Sequence, residues 1–303
     1  MSEKPITGPD AFELRRPSVH KAPIVIASPH SGRYYPPAFL EQSRLPPLAL
    51  RQSEDSYVDE IMGFAPPLGL PLLLANYPRA FVDLNRDAYE LDPNMFDAPL
   101  PLYARNLTDR AKVGFGTVPR VISAGVEIYD TPLSFDMTKP RIDDIYTPYH
   151  TALKKLVEDT HDTFGEVLLI DAHSMPKHDA PRTTGGYWKW SGTSSEPDMV
   201  IGDRFGTSCN GAISAFFAET LMDLGYTVHM NTPYAGGHTT RTFGQPHHHM
   251  HALQIEIRRD IYMDEPSRER KASALAVLSH HIETAITALI ENDLGRTLKQ
   301  AAQ

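Results

Sequence analysis

Three side chains in this chain of 303 residues stand where strands would bring chemistry together. Glu256 lies within Gln254-Ile255-Glu256-Ile257-Arg258-Arg259-Asp260, where Leu253, Ile255 and Ile257 alternate with Gln254, Glu256 and Arg258. That is the period of a strand with one buried face. A carboxylate there is costly to desolvate unless a cation or hydrogen bonds meet it. His30 and His173 each follow an apolar run, Ile24 to Ser28 and Val167 to Ile170, and so fall where predicted strands stop. Open α/β sheets bind ligands beyond the carboxyl ends of their strands. Two strand-end imidazoles and one strand carboxylate point to metal-assisted hydrolysis, in which three protein ligands leave a position open for water.

Other residues could complete such a site. Glu54 and Asp55 follow Ser53 and precede the apolar positions Val58, Ile61, Met62 and Ala65. With Ser53 as N-cap they read as acidic compensation of a helix start, or one of them reads as a metal ligand. Arg79, Asn85 and Arg86 sit around Ala80-Phe81-Val82-Asp83, read as a short strand. Two guanidiniums and an amide make a receptor for a carboxylate, although pairing with Asp83 or Asp87 would also occupy the arginines. Asp171, two residues before His173, could orient a ligand imidazole. The run His247-His248-His249-Met250-His251 has the composition of a metal site but no carboxylate at ligand spacing, and reads as a loop beside the site.

The elements that must position these residues alternate. Leu70 to Ala75 reads as a strand, Ile142 to Phe164 as an amphipathic helix with Pro148 near its first turn, and Val167 to Ile170 as the next strand. Met199 to Gly202 and Tyr226 to Met230 read as strands on either side of a helix from Ile213 to Leu224. A closing helix is expected from Arg268 to Glu291. The Gly/Ser/Thr-rich stretch 177–197, with Trp188 and Trp190, reads as a lid or an unstructured loop, and the tail after Asn292 as frayed. A net charge of −9 argues against nucleic acid or an anionic membrane as partner. A lone cysteine, Cys209, allows no intrachain disulfide. The amino-terminal residues lack a signal-peptide pattern, and no later apolar stretch reads as bilayer-spanning, so a soluble cytoplasmic protein is expected. No phosphate-binding glycine loop, CxxC pair or GxSxG elbow is found.

Taken together, SPHSG, SEDSYVDEI, YPRAFVDLNRD, LIDAHSMP, NTPYAGG with Thr240-Arg241, and LQIEIRRDIYMDE resemble the N-formylglutamate amidohydrolases. The resemblance runs roughly from Ile24 to Glu265. That family is distantly similar to the zinc carboxypeptidases and the aspartoacylase group. The resemblance implies a three-layer αβα fold with a mixed central sheet, eight-stranded in those groups, and a single catalytic domain over 1–303. It implies one Zn2+ per chain, or another divalent metal, held by His30 and His173. The HxxE carboxylate of the related groups is absent, because Arg33 stands three residues after His30. Asp55 matches the replacement position better than Glu54. Glu256 matches the general base that deprotonates water activated at the zinc. Arg79, Asn85 and Arg86 match the clamp for the substrate carboxylate, and Arg241 is a candidate for a second one.

The implied reaction removes a formyl group from N-formyl-L-glutamate or a related N-formyl amino acid, a small anionic substrate. Rival readings are a hydrolase of N-formimidoyl- or N-acyl-aspartate or glutamate on the same fold, a non-catalytic carboxylate-binding protein, and a peptide hydrolase. The sequence leaves the acyl group, the acidic side chain and the oligomeric state open.

Overall fold

The structure is a computed structural model that describes residues 6, 8–104, 107–123, 125–177 and 196–292. Most of the stretch expected to form a lid, and the tail after Asn292, lie outside the described residues. Nine strands are present among those described: β1 (Phe12–Arg15), β2 (Ile24–Ser28), β3 (Leu72–Ala75), β4 (Val121–Ser123), β5 (Val126–Glu127), β6 (Val167–Met175), β7 (Met199–Gly202), β8 (Val228–Met230) and β9 (Met250–Arg258). Seven form one mixed sheet in the order β1-β3-β2-β6-β9-β7-β8. β3, β2, β6 and β9 run parallel, while β1 is antiparallel to β3 and β7 to β9. β4 and β5 make a separate two-stranded hairpin.

Alternation along the central strands sorts side chains into two cores. Leu168, Ile170 and Ala172 of β6 join Leu253, Ile255 and Ile257 of β9 on one face. There they pack against the helices Gly211–Asp223 and Ala272–Glu291. Val167, Leu169 and Ala252 point the other way, toward the helix Thr147–Phe164 and the segment that follows β3. Helices therefore cover both faces of the mixed sheet, the three-layer αβα arrangement expected. Such burial on both faces accounts for the unbroken apolar runs read as strands. The polar residues of β6 and β9, Asp171, His173, Gln254 and Glu256, share the second face at the carboxyl ends of the strands.

Several expectations need correction. The sheet has seven strands among the described residues, and Ala80–Asp83 is not one of them. Pro78 instead starts a turn, its carbonyl accepting from the amides of Phe81 and Val82. Ser53 does not cap a helix: its hydroxyl donates to the carbonyl of Leu50, Glu54 is extended, and the next helix begins at Val58. β6 runs on to Met175, so His173 lies inside a strand rather than beyond one. The His run lies at the opposite end of the sheet from Glu256, since His251 pairs with Leu168 while Glu256 pairs with His173. The helix Ala272–Glu291 is long and apolar enough by length and composition to cross a membrane, contrary to expectation. Leu278, Ile282, Ala285, Ile286 and Leu289 nevertheless pack its inner face into the core.

Gly32 in the turn after β2 serves close approach rather than an unusual backbone angle. A Cβ there would lie 2.2 Å from the carbonyl oxygen of Tyr77. Gly32→Ala should force this backbone apart two residues from His30, lowering stability by about 1–3 kcal/mol. Equilibrium denaturation measures this, and an unchanged midpoint would contradict the close contact.

Candidate active site

Each candidate side chain reaches the site by a different backbone device. His30 projects from the turn after β2, and His173 and Glu256 project side by side from β6 and β9 as register partners. Asp55 arrives on an extended loop whose backbone amide donates to the carbonyl of His30 at 3.0 Å. That hydrogen bond ties two separate loops into one frame.

The imidazoles and the carboxylate converge. His173 Nδ1 is 3.0 Å and His30 Nδ1 3.4 Å from the same oxygen, Asp55 Oδ2. One ligand atom from each of the three residues falls within 4.8 Å of the others, and all three residues are buried. Each imidazole turns its second nitrogen to another buried carboxylate: His30 Nε2 to Asp83 Oδ1 at 2.7 Å and His173 Nε2 to Asp171 Oδ2 at 3.0 Å. Such carboxylate partners fix an imidazole's tautomer and leave the inward nitrogen as an electron-pair donor. His30 Nδ1 is buried with no hydrogen-bond partner. An orphaned donor nitrogen beside a second imidazole and a carboxylate oxygen suits a borderline-soft divalent cation, so the residues present fit a metal ion.

Electrostatics agree with that geometry. Burial opposes ionisation of Asp55, yet the hydrogen bond with His173 and the proximity of both imidazoles outweigh it and hold the carboxyl well below its usual range. Burial likewise opposes charging of His173, but Asp171 and Asp55 raise its affinity for a proton well above normal. The second effect is a proton held where a cation would sit. Burial pushes Glu256 up to about 7, with Asp55 adding to the rise and His173, Arg79 and Arg259 opposing it. Its Oε1 accepts from Gln254 Nε2 at 2.7 Å.

The expected carboxylate binders are placed unequally. Arg79 Nε donates to Asp83 Oδ2 at 2.9 Å, and the side chain stays 30% exposed beside the site. Arg86 is nearly buried, its Nε 3.8 Å from Asp83 Oδ2 and without a hydrogen bond. Burial lowers its pKa, and the charges of Arg79 and Arg110 lower it further against the pull of Asp83. A guanidinium so placed calls for an anion. Asn85 faces inward: Oδ1 accepts from the Thr239 amide at 2.9 Å and Nδ2 lies 3.3 Å from Asp171 Oδ2. Its Nδ2 also lies 3.1 Å from His173 Nε2, so the amide expected in the substrate clamp sits against Asp171 and His173. A Cβ on Gly237 would lie 2.4 Å from that amide, so any larger residue there would displace the Asn85 side chain. Arg241 is exposed on the short helix His238–Phe243, near His238.

Glu54 is resolved from Asp55. Its carboxylate accepts from Tyr35, Arg51 and Ser56 and points away from the imidazoles. Arg33, at the position of the missing glutamate, pairs with Asp59 and Glu60. Sequence reading assigned no role to Asp83 or Arg259. Asp83 was visible only as a partner for arginine. Arg259 follows Arg258 without the strand alternation that would have marked it as inward.

A mixed α/β sheet with a buried group of two histidines and an aspartate, beside a strand glutamate, defines a protein with a candidate metal centre of hydrolase type. Comparison with known proteins narrows this class. The family model described as N-formylglutamate amidohydrolase matches residues 22–263, and the chain belongs to that family. It is 31% identical over 252 residues to the N-formylglutamate deformylase of Pseudomonas aeruginosa, covering 81% of this chain and 84% of the relative. The Pseudomonas putida protein of the same name is 29% identical over 252 residues, covering 81% and 83%. The crystal structure of N-formylglutamate amidohydrolase from Ralstonia eutropha JMP134 superposes with a TM-score of 0.84 at 33% identity, over 93% of this chain and 97% of that one.

The raised pKa of Glu256 has a consequence for the chelated protein. A carboxyl whose folded pKa is raised contributes stability below its unfolded value, near 4.5, and loses it as pH rises through about 7. Glu256→Gln should therefore match the parent's stability at pH 4 and exceed it at pH 8 by up to about 3 kcal/mol. Denaturant titrations in chelator at both pH values test this. An equal difference at the two would contradict the burial.

Proposed function

We infer that this chain, acting as one catalytic domain, hydrolyses the formyl amide of N-formyl-L-glutamate or a close N-formyl amino acid. The products are formate and the free amino acid. The family relationship supports this class of substrate. The observation that carries the mechanism is the register pairing of Glu256 with His173, which puts a carboxyl poised near neutral pH on the same face as the three candidate ligands.

In this reading His30, Asp55 and His173 hold one divalent cation, with zinc the best match to two nitrogens and an oxygen. When bound, the cation supplies a Lewis acid that polarises the formyl oxygen and makes a water molecule easier to deprotonate. Glu256 takes the proton from the attacking water while the water oxygen bonds to the formyl carbon. It then returns the proton to the amide nitrogen as the carbon–nitrogen bond breaks. A carboxyl with a pKa near 7 serves both steps, because neither protonation state is strongly preferred at neutral pH.

Arg79 and the under-compensated Arg86 bind the substrate carboxylate, and Arg241 is the candidate for a second carboxylate at the exposed rim. Asp171 and Asp83 keep both imidazoles oriented throughout. Asp83 also contacts Arg79, so the substrate clamp and a candidate ligand share one carboxylate.

Formate release from N-formyl-L-glutamate by the purified protein, before and after chelation and zinc restoration, tests the reading. Activity should vanish with chelation and return with zinc. Glu256→Gln should keep the metal while kcat falls about 10²–10⁴-fold. Near-normal turnover in that variant would remove Glu256 from the mechanism. Hydrolysis of N-formimidoyl- or N-acetylglutamate in preference to the formyl compound would replace the substrate assignment.

A further inference from the structure

We propose that Arg259, together with Ser174, is the positioning device that makes Asp55 a one-oxygen metal ligand; the proposal rests on the metal reading of His30, Asp55 and His173. The two oxygens of Asp55 are treated differently by the protein. Oδ1 accepts from Arg259 Nη2 at 3.0 Å and from Ser174 Oγ at 2.9 Å. Oδ2 is the oxygen that both imidazoles approach. Arg259 Nε in turn donates to Ser174 Oγ at 2.9 Å, and Nη1 to the carbonyl of Gln52 at 3.0 Å. Two nitrogens of one guanidinium thus hold the loop that delivers Asp55 directly, and the third holds the Ser174 hydroxyl that donates to the same carboxylate oxygen.

This arrangement answers a problem posed by the sequence. A carboxylate three residues after His30 would be held by the same turn as its partner ligand, but Arg33 occupies that position. Asp55 comes from a loop with no regular structure and needs an external anchor. The anchor is rigid, because Arg259 follows β9 directly and is itself buried. Its charge also offsets the desolvation of Asp55. With Oδ1 saturated by two donors, Oδ2 is left for a metal ion, which disfavours two-oxygen coordination and keeps space for water. Lysine could supply the charge but not the fork that spans Asp55, Ser174 and Gln52.

The test uses zinc affinity, by competition with a chromophoric chelator, and the visible spectrum of the cobalt(II) form, whose intensity reports coordination number. Arg259→Met, Arg259→Lys and Ser174→Ala are compared with the parent, and His173→Ala marks loss of the centre itself. Arg259→Met should bind zinc about 10–100-fold more weakly and show a weaker cobalt spectrum. Arg259→Lys and Ser174→Ala should fall between it and the parent, and these two decide the matter if Arg259→Met does not fold. Parent-like affinity and spectrum in the folded variants, with only a lower unfolding midpoint, would make Arg259 merely structural and overturn the proposal. Failure of the parent protein to bind zinc would instead overturn the metal reading on which it rests.

Discussion

A single buried carboxylate, Asp55, sets the constraint that the rest of the site satisfies. Removing such a charge from water is tolerated only where partners replace its hydration. Two imidazoles approach one oxygen, and a serine and an arginine hold the other. Those partners come from the turn after β2, from β6 and from the turn after β9, so the parallel strands must be adjacent for the carboxylate to be buried at all. The sheet order β2-β6-β9 is therefore as much a requirement of the site as of the hydrophobic cores.

Charge balance extends that logic outward. Asp55, Asp83, Asp171 and Glu256 are buried beside the buried Arg86 and Arg259 and the part-exposed Arg79, one more carboxylate than guanidinium if the imidazoles are neutral. The protein meets the excess by holding Glu256 near half-protonation and by raising the proton affinity of His173. A divalent cation would reverse the sign and leave a small positive excess, the complement of an anionic substrate. Arg86, with burial and two neighbouring arginines acting against its charge, lies where that excess is least compensated.

Much of this was legible in the sequence where one residue type has one use. Buried strands declared themselves by apolar runs, and His30, His173 and Glu256 by polar residues placed at or within such runs. The stretch YPRAFVDLNRD did not reveal its conformation, because Pro78 draws the amides of Phe81 and Val82 into a turn where Ala80–Asp83 had been read as a short strand. Asn85 was legible as a polar group beside arginine but not as one whose amide is engaged inside the protein. Arg259 was invisible because its role depends on where β9 ends, a tertiary fact. The His run was read as a loop beside the site, whereas its strand register puts it at the far end of the sheet, a tertiary fact of the same kind.

His30 Nδ1, His173 Nδ1 and Asp55 Oδ2 bound one point in the protein. Anomalous diffraction at the zinc absorption edge, from crystals of the zinc-treated protein, locates that point directly. The account predicts a single strong anomalous peak within bonding distance of those three atoms, with Glu256 close by but not bonded to the metal. A peak at the exposed histidines 247–249, or coordination through Glu54 with Asp55 free, would contradict it.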